Sequence, residues 1–570
     1  MKNIFKSKIK ISMMLVLALA SLVFYNCSSE YLNVNTDPNN PTVAPLDQLL
    51  TNVEQNFNEI TNFRVYIAEE LSAYVHQFTY REEQDQYGTK QDNGDVKNSW
   101  DVAYSVFTET DRIIDQGTSD NELIIVGMAQ VLKGYTSTII VDVWGDAPYS
   151  EAAKLADGIV SPVFDNQTEI YQNALDLIDA GLANINSGSG KNPGSQDLYF
   201  GGSVSKWTKF VNTLKLKLYN EIRLSSSFDA SKLSALVLAD NFMTGLSDDF
   251  QFPYSTTQSP AEERNPLYRT TYLTGQTSHY ASPWFYEILK GWNPNIHNGI
   301  SDPRLPYYFF NQLTPGQLPP DVGDPTTGDP KADYFDETTG FHTIRFGSVS
   351  ANRDFASRES STYPGIYVCG GKYDDGLGGD ANTNAGTGAA PHRMLTYHEF
   401  LFIKAELMQA GLISGDVKAT LQDAITAAFA KVDDVVANSE TSQTVPSLSG
   451  TAPVTAFIAD IMAEFDAATP AKKLEIIITQ KWVSTFGDPF DQYNDYRRTG
   501  YPVLANPNGP SPEYQLDNYA PGNYKPLDDS ETTLTRPYQV SLFWPLAEID
   551  VNKNAPAQKD ATTYKIFWDN

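Results

Sequence analysis

The chain has 570 residues, with 41 basic and 70 acidic side chains and a formal net charge of −29 at pH 7. That balance speaks against nucleic-acid backbones and anionic lipid headgroups as partners, because both repel an acidic surface. Two cysteines in a chain of this length exclude a fold held together by disulfides.

The first predicted element is an export leader. Lys2, Lys6, Lys8 and Lys10 form a basic start, Ile11 to Val23 is an almost unbroken apolar run, and Cys27 follows four residues later. The run is too short, and wrongly flanked, for a membrane span. Cys27 resembles the lipidated first residue of a mature bacterial lipoprotein, although Phe24 and Asn26 replace the usual Leu and small residue. The alternative is ordinary cleavage at Ala18-Leu19-Ala20, which would leave Cys27 free to pair with Cys369. The expected layout is a signal peptide over 1–26 and a single domain over 27–570. Loss of the leader removes four lysines and no acid, leaving 37 basic and 70 acidic side chains, a net of −33.

From about 46 to 224 the periodicity is helical. Leu123, Gly127, Val131, Tyr135 and Ile139 share one helix side, as do Trp207, Val211, Leu214, Leu218 and Ile222 on a second helix. The polar side of that second helix reads as basic, through Lys206, Lys209, Lys215, Lys217 and Arg223. Between about 241 and 395 the chain becomes rich in Pro, Gly, Asn, Asp and Thr, a loop-rich insertion of the kind that carries function. Helical pattern returns at Leu395 to Leu412, Lys418 to Val435, Val454 to Phe465 and Lys472 to Phe486. The tail beyond Gly500 is loop-rich. The fold class is mostly α, and no strict repeat is visible.

Chemistry-bearing motifs are few. There is no HExxH, GxSxG, P-loop or CxxC, and the six histidines have no metal-ligand spacing. Two carboxylates suffice for a glycoside hydrolase, so 70 acids leave that activity open as the enzyme alternative. Asp374, Asp375 and Asp380 lie on an acidic, Gly-rich stretch that could bind Ca²⁺, with a solvated loop the commoner outcome; no other cofactor is expected. Two regions combine aromatic faces with planar polar groups, the pairing that sugar recognition needs. One spans 74–100, with Tyr80, Arg81, Tyr87, Asn93 and Trp100. The other spans 268–310, with Tyr280, Trp284, Trp292 and Asn293.

Five segments together resemble the SusD/RagB family of outer-membrane nutrient-binding lipoproteins. They are YLNVNTDPNNP at 31–41, WGDAPYSEA at 144–152, DLYFGGSVSKWTKFVNTLKLKLYNEIRL at 197–224, LTYHEFLFIKAEL at 395–407, and QKWVSTFGDPFDQYNDYRRTGYP at 480–502. Asp302-Pro303-Arg304, Arg536-Pro537-Tyr538 and Phe543-Trp544-Pro545 fit the same pattern. The resemblance implies a SusD-like helical scaffold with tetratricopeptide-like helix pairs, and no catalysis. It also implies an outer-membrane protein, lipid-anchored at Cys27 and facing the cell exterior. The implied partners are a SusC-like TonB-dependent β-barrel transporter and an oligosaccharide or peptide ligand, without nucleic acid. Known members place aromatic ligand contacts in broadly the two regions named above, so the candidate ligand residues are Tyr80, Arg81, Tyr87, Trp100, Tyr280, Trp284, Trp292 and Asn293.

Most motif residues have a structural expectation instead. Trp144 should anchor the turn made by Gly145 to Pro148. Arg497 and Arg498 should form charge-assisted pairs with Asp491 and Asp495 at a helix end. Glu399 and Glu406 should cap or pair.

Overall fold

A computed structural model describes residues 44–80, 89–274, 279–319, 333–344, 358–382, 385–504 and 538–569. Cys27, Arg81 and Tyr87, and with them the leader boundary, lie outside these residues. The chain divides into two compact units, 1–49 and 50–570; of the first, residues 44–49 are described and begin helix α1 (Leu46–Ile60).

Helices dominate the second unit. After α2 (Ile67–Tyr74) come α3 (Gly94–Ser119), α4 (Leu123–Trp144), α5 (Gln167–Asn186) and α6 (Val204–Glu221), each packed on the one before. Past the insertion come α7 (Tyr397–Gln409), α8 (Val417–Asn438), α9 (Ala452–Ala467), α10 (Pro470–Ser484) and α11 (Pro489–Thr499). The expected helices at 395–412, 418–435, 454–465 and 472–486 therefore stand within a few residues of their predicted ends. Their starts are written locally. Asn93, Asn166, Ser203 and Asp416 each accept a backbone N–H of the following turn, while Pro470 and Pro489 open helices where no N–H is needed.

Small residues set the closest helix contact. A Cβ on Gly127 of α4 would lie 2.5 Å from the Gly181 carbonyl of α5, and one on Gly134 would meet Ile178 at 2.6 Å. Helix α4 is long and apolar enough to cross a membrane, the one such helix among the described residues, but 89% of its most apolar window is buried in the fold. It is a core helix.

Between Phe250 and Leu395 the described strands are short and antiparallel. β1 (Phe78–Tyr80) pairs with β2 (His279–Ala281), and β3 (Asp333–Asp336) forms a hairpin with β4 (Phe341–Ile344). Single turns at Leu305–Tyr308 and Ile366–Cys369 complete this layer. Cys369 is a free, buried thiol, pushed up from its usual range by burial.

The motif segments build the core. Trp144 is fully buried, with Trp100 edge-on at 5.2 Å, and the Trp144 carbonyl accepts Lys559 Nζ at 2.6 Å. Gly145 ends α4 at φ 73°, a left-handed conformation that favours glycine, and Tyr564 fills the space a Cβ would need. Arg498 lies between Glu406 of α7 and Asp495 (2.7 Å), and Arg223 reaches the same Glu406 at 2.9 Å. Lys481 of α10 pairs with Asp495 at 2.9 Å and Glu399 at 3.5 Å, and Lys217 of α6 pairs with Asp491. Lys217 is thus buried rather than part of a basic outer face. Arg497 also departs from expectation. It donates to the Asp142 and Val540 carbonyls at 2.7 and 2.9 Å and stacks on Tyr493 and Trp568.

Two expectations follow. Arg498→Leu leaves Glu406 short of its main partner in a dry site and should cost about 3–5 kcal/mol, read as a lower urea midpoint. Gly127→Ala forces α4 from α5 and should cost about 1–3 kcal/mol in the same assay; an unchanged midpoint would mean that the helices separate freely.

Candidate functional site

The scaffold brings the two sequence-nominated regions together. β1 and β2 pair with Tyr80 opposite His279, so the 74–100 and 268–310 segments meet along one ladder. No local pattern announced this pairing, because it links residues about two hundred positions apart.

The individual aromatics divide sharply. Tyr80, Trp100, Tyr280 and Trp284 are 0, 4, 2 and 1% exposed, so none presents a ring face to solvent here. Their polar tips are satisfied inside: Tyr80 Oη lies 2.6 Å from Ser72 Oγ, and the Trp284 indole donates to the Val503 carbonyl at 3.2 Å. Trp100 packs on Trp144 and Tyr104. All four are buried in this structure, where the sequence reading expects an exposed platform. Asn293 is buried as well, its Oδ1 accepting the Asn295 N–H at 2.9 Å. Trp292 alone of these described candidates is half-exposed.

Beneath Trp292 the insertion forms a connected polar and aromatic network, largely buried. Tyr286 stacks on Phe341 at 3.6 Å and holds Trp292 edge-on at 5.9 Å. Its hydroxyl donates to Asp336 Oδ2 at 2.6 Å and lies 2.7 Å from Thr339 Oγ1. Lys290 Nζ sits 4.9 Å from the Trp292 ring centre and 3.7 Å from Asp336. Beside Tyr286 a cleft of about 160 Å³ opens, lined by Leu305, Pro306, Phe309, Asn311, Thr339 and Asp374. Asn311 Nδ2 donates to Asp374 Oδ2 at 2.7 Å and to the Thr339 carbonyl at 3.3 Å, while Asn311 Oδ1 accepts from Thr362 at 2.7 Å. The sequence reading missed Asn311, Thr339 and the hairpin turn. Their signal is only topological, since three separated segments supply them.

The two carboxylates differ. Burial pushes Asp374 up to about 6 despite hydrogen bonds from Gly376 and Asn311. At Asp336 burial also opposes the charge, but hydrogen bonds from Thr338 and Tyr286 outweigh it and hold the group below the usual range. The cleft therefore carries one carboxylate, Asp374, that takes a proton in mildly acid solution, while Asp336 stays charged and buried beneath Tyr286.

The calcium candidates do not converge. Asp374 Oδ1 accepts the Gly376 N–H, Asp375 Oδ1 that of Leu377, and Asp380 Oδ1 that of Asn382, at 3.0, 3.0 and 2.7 Å. One oxygen of each carboxylate is thus taken up by a backbone N–H of its own loop. Among the described residues no group of three or more His, Cys, Asp or Glu could hold a metal ion.

The site is thus a cleft carried by a loop-rich insertion on a helical scaffold, and comparison makes the family definite. Residues 38–518 match the profile of SusD-like proteins, described as starch-binding and associating with the outer membrane. The chain belongs to that SusD-like family. Among curated proteins none matches. Solved structures share the fold. A SusD/RagB family protein of Bacteroides thetaiotaomicron has 20% identity and a TM-score of 0.63, over 90% of this chain and 95% of its own. A chitin-binding SusD homolog from Flavobacterium johnsoniae has 18% identity and a TM-score of 0.60, over 91% and 98%. A SusD homolog of Bacteroides fragilis has 20% identity and a TM-score of 0.60, over 89% and 94%.

The Asp374 shift has a stability consequence. Between about pH 4 and 6 the folded chain keeps a proton that the unfolded chain releases, so stability falls as pH rises through that window. Asp374→Asn should flatten the fall by on the order of 2 kcal/mol, seen as converging denaturation midpoints of variant and parent toward pH 4.

Proposed function

We propose that this chain is a cell-surface lipoprotein, anchored through Cys27, that captures an oligomeric glycan and delivers it to a SusC-like TonB-dependent transporter. The observation that carries the reading is the half-exposed Trp292, backed by Tyr286 and set near an acceptor-rich cleft, in a chain of the starch-binding SusD-like family. The chitin-binding Flavobacterium johnsoniae relative supports a glycan rather than a peptide.

In this mechanism the ligand's C–H face packs on Trp292 while its hydroxyls donate into Asp374, Asn311 and Thr339. Each of those oxygens keeps an unused lone pair after its internal hydrogen bond. Lys290 Nζ lies over one side of the Trp292 ring, so this mechanism requires the ligand to stack on the other. No bond is made or broken. Arg81 and Tyr87, outside the described residues, remain proposed ligand contacts.

The experiment is a calorimetric screen of the full chain against starch, chitin and other neutral oligosaccharides, acidic oligosaccharides and peptide mixtures, with product analysis. A neutral glycan should bind without hydrolysis. Trp292→Ala should weaken it about tenfold, on the order of 1.4 kcal/mol, with folding unchanged. Product release would reassign the chain to the hydrolases, a hit confined to peptides would move the ligand class, and undiminished affinity in the folded variant would remove Trp292 from the site.

A further inference from the structure

A second cleft, about 470 Å³ in volume, lies between the 291–300 loop and α9. Its frame is rigid. Gly291 is so close to Ile300 that a Cβ would stand 2.6 Å from the Ile300 nitrogen, and the Gly299 N–H donates to the Gly291 carbonyl at 2.7 Å. His297, in a left-handed conformation at φ 55°, places its backbone N–H and Nδ1 on the two oxygens of Glu464, at 3.0 and 2.6 Å. Gln480 Nε2 donates to His297 Nε2 at 3.0 Å, which fixes the ring with its proton on Nδ1. Lys472 Nζ holds the Asn295 carbonyl and Glu475.

With those groups engaged, three planar polar side chains remain. The Asn295 and Asn298 carboxamides and the Asp460 carboxylate line the cleft with no partner among the described residues. Pro294, Ile296 and Ile300 supply an aliphatic wall. Carboxamides and carboxylates meet vicinal hydroxyls two at a time, and an aliphatic wall takes the C–H face of a pyranose. The cleft carries Asp460 and Glu464, and the nearby Lys472 ammonium is already engaged, so an anionic ligand is repelled.

We propose that this cleft is a second saccharide subsite, taking a neutral or amino pyranose unit and excluding uronic or sulfated sugars. The proposal rests on the glycan-binding reading above. Two modest sites, both bordered by the insertion, would hold a long glycan more tightly than either alone, and would release it once one end is freed.

Hydrogen exchange of the full chain, read by mass spectrometry with maltoheptaose, chitohexaose or an oligogalacturonate, tests it. One neutral oligosaccharide should slow exchange in 294–300 and 457–464 as well as in 305–311 and 370–374, and the oligogalacturonate should slow neither pair. In Asp460→Ala/Asn298→Ala the first pair should return to its ligand-free rate while the second stays protected. Both residues are exposed, so the variant should melt with the parent, and Asn298→Ala alone provides a milder check. Slowing confined to 305–311 and 370–374 would overturn the second subsite and leave the function standing. Persistent slowing of 294–300 in the folded double variant would also overturn it. No slowing with either neutral probe, joined to silence across the calorimetric screen, would remove both readings.

Discussion

The fold depends on a set of charges sealed between four helices. Lys217 of α6, Glu399 and Glu406 of α7, Lys481 of α10, and Asp491, Asp495 and Arg498 of α11 are all buried. Charges removed from water are tolerable only when paired, and here each cation faces acids from helices distant in sequence. Glu399 is held well above the carboxylate range by burial and by Asp491; at Asp491 burial opposes the charge, but Lys217 prevails and keeps it low. Burial thus favours the neutral form of Glu399, while Lys217 favours the charged form of Asp491. A shift of one helix by a turn would strand several ions at once. Hydrophobic stripes allow such slips; this arrangement does not.

The same logic attaches the insertion to the scaffold. Arg304, fully buried, makes a bidentate pair with Asp302 and donates to Ser484 and Gln480 of α10 at 2.8 and 3.1 Å. Gln480 in turn meets His297, and His297 meets Glu464 of α9. A continuous polar chain therefore runs from the 302–304 turn through one scaffold helix to the 291–300 loop and back into a second helix. Trp292 and both clefts are carried on backbone clamped at these points. A loop fixed in this way loses less entropy on meeting a ligand than a free one, and so retains more of its contact energy as affinity.

Much of the scaffold was legible because helix periodicity, caps and the family motifs all act locally or through composition. The four helices from 395 to 486 and the Trp144 anchor are of this kind. Sequence could not sort the aromatics. Trp284 and Trp292 sit eight positions apart, yet one donates into the core at Val503 and the other is half-buried. Burial is decided by what packs on the residue, and for Trp284 that includes a segment more than two hundred positions away. Lys217 shows the converse, since a lysine spaced onto a polar helix face becomes interior once a second helix brings Asp491 to it. Asn311, Thr339 and Asp374 come from three separate segments, so their convergence had no sequence signature at all.

Electrostatics narrows the ligand further than shape does. The cleft beside Tyr286 is lined by oxygens that are already hydrogen-bonded yet can each accept once more, and the cleft beneath the 291–300 loop presents Asp460 with two carboxamides. Of the two cations beside them, Lys290 lies against Trp292 and Asp336, and Lys472 is engaged by Asn295 and Glu475. A chain with a net charge of −29 adds a long-range field of the same sign. A ligand that donates hydroxyl protons and carries no negative charge satisfies both clefts and the field together. A sulfated or uronic chain would have to shed its hydration while bringing its own negative charge against Asp374 and Asp460.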